Sequence, residues 1–80
     1  MKTIQMELLE RVADVLSVEV AAIDVEAPLH SLGLDSLRMV EMLVFIETRY
    51  GVDLMASELQ PEDISSVSAL ARTVGLKKGE

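Results

Sequence analysis

Apolar residues near the N-terminus recur every three or four positions, which is typical of one face of an α-helix. These positions are Ile4, Leu8, Val12, Val15 and Leu16. Thr3 comes directly before the first of them, and its hydroxyl makes it a suitable N-cap residue. The pattern predicts a first helix from about Thr3 to Ser17.

The next segment, from Val18 to Leu34, has no regular hydrophobic period. Its apolar residues are Val20, Ile23, Val25, Leu29 and Leu32. Pro28 blocks any helix from continuing through this region. Because a long structureless loop is uncommon in a small domain, we expect an ordered loop that these apolar side chains hold against the core.

The helical period returns after the loop and predicts a second helix from Ser36 to Tyr50. Gly51 can supply the left-handed residue that ends many helices. Pro61 suits the first turn of a helix and is followed by two acids, so a short helical turn is predicted at Pro61–Ile64.

A last helix is predicted after Ser65 and Ser66, either of which can cap it. Its apolar face consists of Val67, Leu70, Ala71 and Val74. We expect Gly75 to end this helix and residues 76–80 to form a frayed tail. The whole pattern predicts an all-α fold, a small bundle of three main helices plus one short helix, in one domain that spans residues 1–80.

A helical wheel separates the faces of the second helix. The core face holds Met39, Met42, Leu43, Ile46 and Tyr50, with Met42 at its edge. The solvent face holds Arg38, Glu41, Phe45, Thr48 and Arg49. Leu37 and Val44 lie between the faces, on the side of Ser36. An exposed Phe45 has two interpretations, a partner contact or local packing, and the pattern leaves both open.

The net charge of the chain limits the classes of molecule that it is expected to bind. The 80 residues include 14 acids and 7 Lys or Arg, for a formal charge of −7. This excess argues against nucleic-acid binding, where affinity comes from basic residues, and favours protein partners with basic patches.

The chain has no cysteine, which excludes a disulfide scaffold, a thiolate metal site and a cysteine nucleophile. No loop has the spacing of a calcium site, so no resident metal is expected. With one histidine and little room for a cleft, no catalytic set can be assembled, and we expect a protein that is not an enzyme. There is no secretory signal and no run long enough to span a membrane, so a cytoplasmic location is expected. The protein is also expected to be a monomer.

The segment Gly33-Leu34-Asp35-Ser36-Leu37 carries the strongest chemical signal. It places a serine at a predicted helix start, where unpaired N–H groups and the helix dipole favour a phosphate. Asp35 puts a carboxylate beside that hydroxyl, where it could help to hold a metal ion during phosphoryl transfer. The alternative is that Asp35 or Ser36 only caps a helix.

Taken with its surroundings, the segment resembles the attachment site of the acyl carrier protein family. The resemblance extends from about Ile4 to Val74 and includes the acidity, the long loop and Gly33 two residues before Asp35. It also includes Val40-Glu41, Glu47, Tyr50-Gly51-Val52 and Ile64-Ser65-Ser66-Val67.

The resemblance implies that Ser36 carries a covalent 4′-phosphopantetheine arm, whose thiol holds an acyl group as a thioester. It also implies a separate phosphopantetheinyl transferase, which uses coenzyme A and Mg²⁺ during attachment, with Asp35 assisting the metal. Acyl-loading and acyl-transfer enzymes of fatty-acid, polyketide or related lipid synthesis would be the other partners.

The second helix and its neighbourhood are where such partners are expected to bind. The candidate contact residues are Leu37, Arg38, Glu41, Val44, Phe45 and Glu47. From Asp35 to Arg49 there are three acids and two bases, so the net charge of this segment is −1. The segment is therefore less acidic than is usual in carriers of primary fatty-acid synthesis. We therefore expect a specialised carrier. An aminoacyl or peptidyl carrier, or an unmodified helical interaction module, remains open.

Overall fold

The computed structural model describes residues 2–55 and 60–78, and in this part of the chain three α-helices form the fold. They are α1 (Ile4–Leu16), α2 (Ser36–Tyr50) and α3 (Val67–Lys78). Short 3₁₀ turns occur at Val20–Ala22, Leu29–Leu32 and Pro61–Ile64. The all-α prediction is confirmed, and no strand is present among these residues. None of the helices found there is both long and apolar enough to cross a bilayer.

The predicted ends of α1 and α2 agree closely with the structure. The Thr3 hydroxyl accepts a hydrogen bond from the Met6 amide at 3.1 Å and so caps α1. α1 ends at Leu16, and the residue that caps it, Ser17, takes the left-handed conformation with φ of 57°. Gly51, with φ of 71°, ends α2 in the same way.

The prediction that Gly75 ends the last helix is wrong. α3 continues through Gly75 to Lys78, so Leu76 belongs to the helix and not to a tail. Gly75 does not take the positive φ that ends a helix. Lys77 and Lys78 instead stabilise the last turn, where cations offset the helix dipole. Residues 79–80 of the expected tail lie outside the described residues.

The α1–α2 connection is ordered, as predicted, although its 3₁₀ turns were not foreseen. Leu29 is buried, and Ile23, Val25 and Leu32 pack against the core. Val20 is the exception, because it is 36% exposed. Backbone bonds tie the loop to the start of α3: the Leu29 amide donates to the Ser65 carbonyl at 2.8 Å.

The core lies where the three helices meet, and the side chains that are completely shielded from solvent show this. They are Leu8, Val12, Met42, Ile46, Val67, Leu70 and Val74. Met42 was placed at the edge of the core face, yet it is fully buried, whereas Leu43 is only partly buried. α2 therefore faces the core through Met42 and Ile46, because α1 and α3 both pack against this side of the helix.

The helix directions follow from contacts at the ends of α2. Near its end, the Tyr50 hydroxyl donates to Glu7 in α1 at 2.6 Å, and near its start, Arg38 donates to the Val15 carbonyl at 2.8 Å. α1 and α2 are therefore antiparallel. The Lys78 ammonium lies 5.4 Å from the centre of the Tyr50 ring, so α3 ends beside the end of α2.

The Glu7 carboxylate joins α1 to the end of α2. It accepts hydrogen bonds from the Tyr50 hydroxyl and from Arg49 Nη2, the latter at 2.8 Å. These two bonds, Tyr50 first, lower the pKa of Glu7 below its ordinary value of 4.5. Burial, followed by the adjacent Glu7 carboxylate, raises the pKa of Tyr50.

The stability of the fold should therefore fall in acid. A carboxylate whose pKa is lower in the folded than in the unfolded chain stabilises the fold above its unfolded pKa, and this contribution is lost as the pH falls through the folded pKa. We expect the free energy of unfolding, measured by urea titration, to decrease below about pH 4.5. Glu7→Gln should be less stable near pH 7 and should show a shallower decrease in acid. An unchanged acid slope in this variant would contradict the assignment.

Candidate functional site

Ser36 is the first residue of α2, and the residue before it provides the N-cap. The Asp35 carboxylate accepts a hydrogen bond from the Arg38 amide at 2.9 Å. The Ser36 side chain is exposed, and its hydroxyl has no hydrogen-bond partner among residues 2–55 and 60–78. The capping role therefore belongs to Asp35, and the Ser36 hydroxyl is available for other chemistry.

The approach to Ser36 depends on Gly33 and Leu34. Gly33 ends the 3₁₀ turn Leu29–Leu32 with φ of 101°, a backbone conformation that residues other than glycine rarely adopt. Leu34 is 6% exposed and anchors the chain to the core immediately before the helix. A sharp turn followed by a buried anchor thus presents Asp35 and Ser36 outward.

A groove of about 500 Å³ opens beside Ser36. It runs between the start of α2, the Leu29–Leu32 turn and the Pro61–Ile64 turn, and Met39 and Ile64 lie in its apolar wall. His30, the only histidine, is exposed at this groove. A flexible group attached to Ser36 could therefore lie against the protein surface.

The start of α2 offers donors for an anion next to the Ser36 hydroxyl. The first amides of a helix have no acceptor within the helix, and in α2 only that of Arg38 is bonded by the Asp35 side chain. The amides of Ser36 and Leu37 therefore face the end where the helix dipole is positive. This arrangement suits a phosphodiester on Ser36.

The candidate partner residues fall into two groups. Leu37, Glu41, Val44 and Glu47 are exposed, and Leu37 and Val44 show 69% and 50% of their surface. Arg38 and Phe45 were assigned to the solvent face, and that assignment is wrong because both are partly buried.

The guanidinium group of Arg38 is hydrogen-bonded within the fold. Its Nη1 donates to the Val15 carbonyl in the last turn of α1, where helix carbonyls lack intrahelical partners. A cation here also offsets the negative end of the α1 dipole.

We expect Arg38→Met to lower the free energy of unfolding by about 1 kcal/mol, because it removes this bond. Arg72→Met is the matched control, since Arg72 is exposed on α3. Urea titration of both variants would measure the difference. Equal stability of the two variants would contradict the role of Arg38.

Phe45 packs between α1 and the end of α2. The Arg11 guanidinium lies 5.2 Å from the centre of its ring, and the Tyr50 ring meets it edge-on at 6.2 Å. Of the two interpretations left open by the sequence, the contacts of Phe45 favour local packing.

The contacts of Arg38 and Arg49 also change how the charges on α2 are interpreted. Arg49 is paired with Glu7, and Arg38 is bonded to α1, so neither arginine is an unengaged cation on the outer face. Glu41 and Glu47 remain exposed there. The argument for a specialised carrier, which rested on these two arginines, is therefore weaker than the sequence suggested.

Val40, which the sequence analysis named only as part of the family resemblance, is an exposed residue that was not among the candidate partner contacts. It is 46% exposed, lies one helical turn after Ser36 and lines the groove beside it. Its spacing of four residues from Ser36 could have identified it, because residues at i and i+4 share a helix face.

The fold and this site together define a small helical carrier domain with a serine presented at a helix start. Residues 7–74 match the family described as phosphopantetheine attachment site. The chain is also similar to the acyl carrier protein TtuC of Teredinibacter turnerae, with 31% identity over 74 residues, or 92% of this chain and 83% of TtuC. The chain belongs to the phosphopantetheine-attachment family of carrier domains. Membership implies a covalently attached phosphopantetheine.

Proposed function

We propose that this protein carries an acyl group as a thioester on a 4′-phosphopantetheine arm attached to Ser36. It presents the group to enzymes of fatty-acid, polyketide or related lipid synthesis and catalyses no reaction itself. The observation that carries the proposal is the division of roles at the start of α2, where Asp35 caps the helix and the Ser36 hydroxyl stays exposed.

The geometry supports attachment at this hydroxyl. When the Ser36 Oγ–phosphorus bond forms, the pyrophosphate bond of coenzyme A breaks and adenosine 3′,5′-bisphosphate leaves. The hydroxyl loses its proton, and the phosphodiester product carries a negative charge. The amides of Ser36 and Leu37 can stabilise that charge at the positive end of α2. One oxygen of Asp35 bonds the Arg38 amide, which leaves the other to assist Mg²⁺ during attachment by the transferase.

An acyl cargo is favoured by similarity to a protein that is named as an acyl carrier. We further propose that the protein is a cytoplasmic monomer. Its partner enzymes carry basic docking patches, because the formal charge of the chain is −7.

The direct test is intact-mass analysis after incubation with coenzyme A, Mg²⁺ and a broad-specificity phosphopantetheinyl transferase. We expect the mass of one phosphopantetheine to be added, and peptide mapping should locate it at Ser36. Absence of any added mass would contradict the proposal. Mass analysis of the loaded protein from its native cell would then distinguish an acyl from an aminoacyl cargo.

A further inference from the structure

The last turn of α1 contacts residues 33–38, the segment that contains Ser36, on both sides of the serine. Before the serine, the Leu16 side chain packs beside the turn at Gly33, with Leu16 Cδ2 3.7 Å from the position that a Cβ on Gly33 would occupy. After the serine, Arg38 Nη1 donates a hydrogen bond to the Val15 carbonyl at 2.8 Å. Two consecutive residues at the end of α1 therefore support the segment that presents Ser36.

The carbonyl that Arg38 reaches is one that α1 cannot satisfy from within. The last four carbonyls of a helix have no partner inside the helix. In α1, the carbonyls of Ala13 and Asp14 accept hydrogen bonds from the backbone amides that directly follow the helix. The Val15 carbonyl accepts one from the Arg38 side chain instead. This bond is partly buried, so it joins the end of α1 to the start of α2 with little competition from water.

Arg38 also bonds the N-cap of α2 through its backbone. The Asp35 carboxylate accepts a hydrogen bond from the Arg38 amide at 2.9 Å. The same residue thus holds Asp35 through its main chain and the end of α1 through its side chain, and Ser36 lies between them in the first turn. The placement of the Ser36 hydroxyl and of the carboxylate beside it therefore depends on Arg38.

We propose that Arg38 is a positioning residue for attachment of the arm. Its bond to the end of α1 fixes the first turn of α2, and with it the Ser36 hydroxyl and the Asp35 carboxylate. This inference rests on the proposed function, and it gives Arg38 a role inside the protein in place of the partner contact expected from the sequence. Attachment needs such support, because the serine oxygen has to meet the phosphorus in line with the leaving group, and a displacement of about 1 Å can lower a rate about 100-fold.

Steady-state kinetics with a broad-specificity phosphopantetheinyl transferase, coenzyme A and Mg²⁺ would test this role. With the carrier as the varied substrate, Arg38→Met should lower kcat about 3- to 10-fold and leave KM within about twofold, because the hydroxyl is misplaced while docking is unchanged. Arg38→Lys keeps a cation and a donor of similar reach, and it should recover at least about half of the parent kcat. Arg72→Met makes the same change at an exposed position on α3 and should match the parent.

Three kinetic results would overturn the positioning role. A higher KM with an unchanged kcat would restore Arg38 as a partner contact. Kinetic constants for Arg38→Met equal to those of Arg72→Met would show that the bond to α1 does not matter for attachment. A low kcat that Arg38→Lys does not recover would show that a donor at this position is not what matters. Thermal unfolding followed by circular dichroism would set an assay temperature at which every variant is folded.

Amide hydrogen exchange measured by NMR reports on the start of α2 without any transferase. The Met39 amide donates to the Asp35 carbonyl at 2.9 Å and exchanges only when this turn opens. The Leu70 amide makes the equivalent bond in the first turn of α3, to the Ser66 carbonyl at 2.9 Å. Arg38→Met should speed exchange at Met39 about 3- to 10-fold more than at Leu70, because only the first turn of α2 loses a bond. Equal acceleration at the two amides would overturn the local support.

The exchange measurement also keeps the two proposals apart. If the parent protein gains no arm from any transferase, the proposed function fails, whereas the exchange rates still decide whether Arg38 supports the start of α2. If the parent gains the arm and Arg38→Met behaves like Arg72→Met in both measurements, only the positioning role fails.

Discussion

Ser36→Ala should eliminate phosphopantetheine attachment and leave the fold intact. The substitution removes the nucleophilic oxygen, so the mass of the arm should be absent even after long incubation with transferase and coenzyme A. Stability should change by no more than about 0.5 kcal/mol, because the hydroxyl is exposed and Asp35, not Ser36, caps α2. Intact mass and urea titration of the same preparation would measure both effects.

Ser31→Ala is the matched control for this experiment. Ser31 is another exposed serine, five residues earlier, and its hydroxyl donates to the Pro28 carbonyl at 2.7 Å. The Ser31 variant should gain the arm as the parent does. An arm on the Ser36 variant would show that attachment is elsewhere, and a large loss of stability would restore the interpretation of Ser36 as a structural residue.

Met42→Ala should produce the largest loss of stability. Met42 is fully shielded from solvent in the centre of the bundle, and truncating such a side chain typically costs about 2–5 kcal/mol. A chain of this size has a total stability of only about 4–12 kcal/mol, so a large share would be lost. The midpoint of urea unfolding should move sharply downward.

Met6→Ala provides the control, because it makes the same chemical change in a helix at a side chain that is 43% exposed. It should cost less than about 1 kcal/mol. Similar losses for Met42→Ala and Met6→Ala would contradict the burial of Met42.

Local signals in the sequence accounted for most of the helix boundaries. Thr3, Gly51 and Pro61 act through their own backbone or their nearest neighbours, so their roles could be predicted without tertiary information. Gly75 failed as a stop signal because glycine ends a helix in this way only where it takes a positive φ. Here the helix continues through Gly75 to Lys77 and Lys78, whose charges offset the helix dipole.

The side-chain arrangement of α2 was less predictable. A helical wheel assumes one flat core on one side, whereas α2 is contacted by both α1 and α3. Long side chains also reach across neighbouring helices, as Arg38 does to Val15. For the same reason the pairing of Arg11 with Phe45 could not be inferred from spacing.

The position of the candidate attachment serine in the fold was predicted from the sequence. The sequence placed Ser36 at the start of a helix, but it could not decide whether Asp35 or Ser36 caps that helix. This choice depends on backbone angles and on the position of the Arg38 amide, which only the folded chain reveals.

The side-chain bonds at the two ends of α2 have a mechanical consequence. Arg38 fastens its beginning to α1, and Tyr50 and Arg49 fasten its last turn to Glu7. Toward the Pro61–Ile64 turn, by contrast, the helix borders the groove beside Ser36, with apolar Met39 and Ile64 in its wall. α2 is therefore joined to α1 near both of its ends. A bulky cargo would widen the bundle most easily on the other side of α2, toward the Pro61–Ile64 turn.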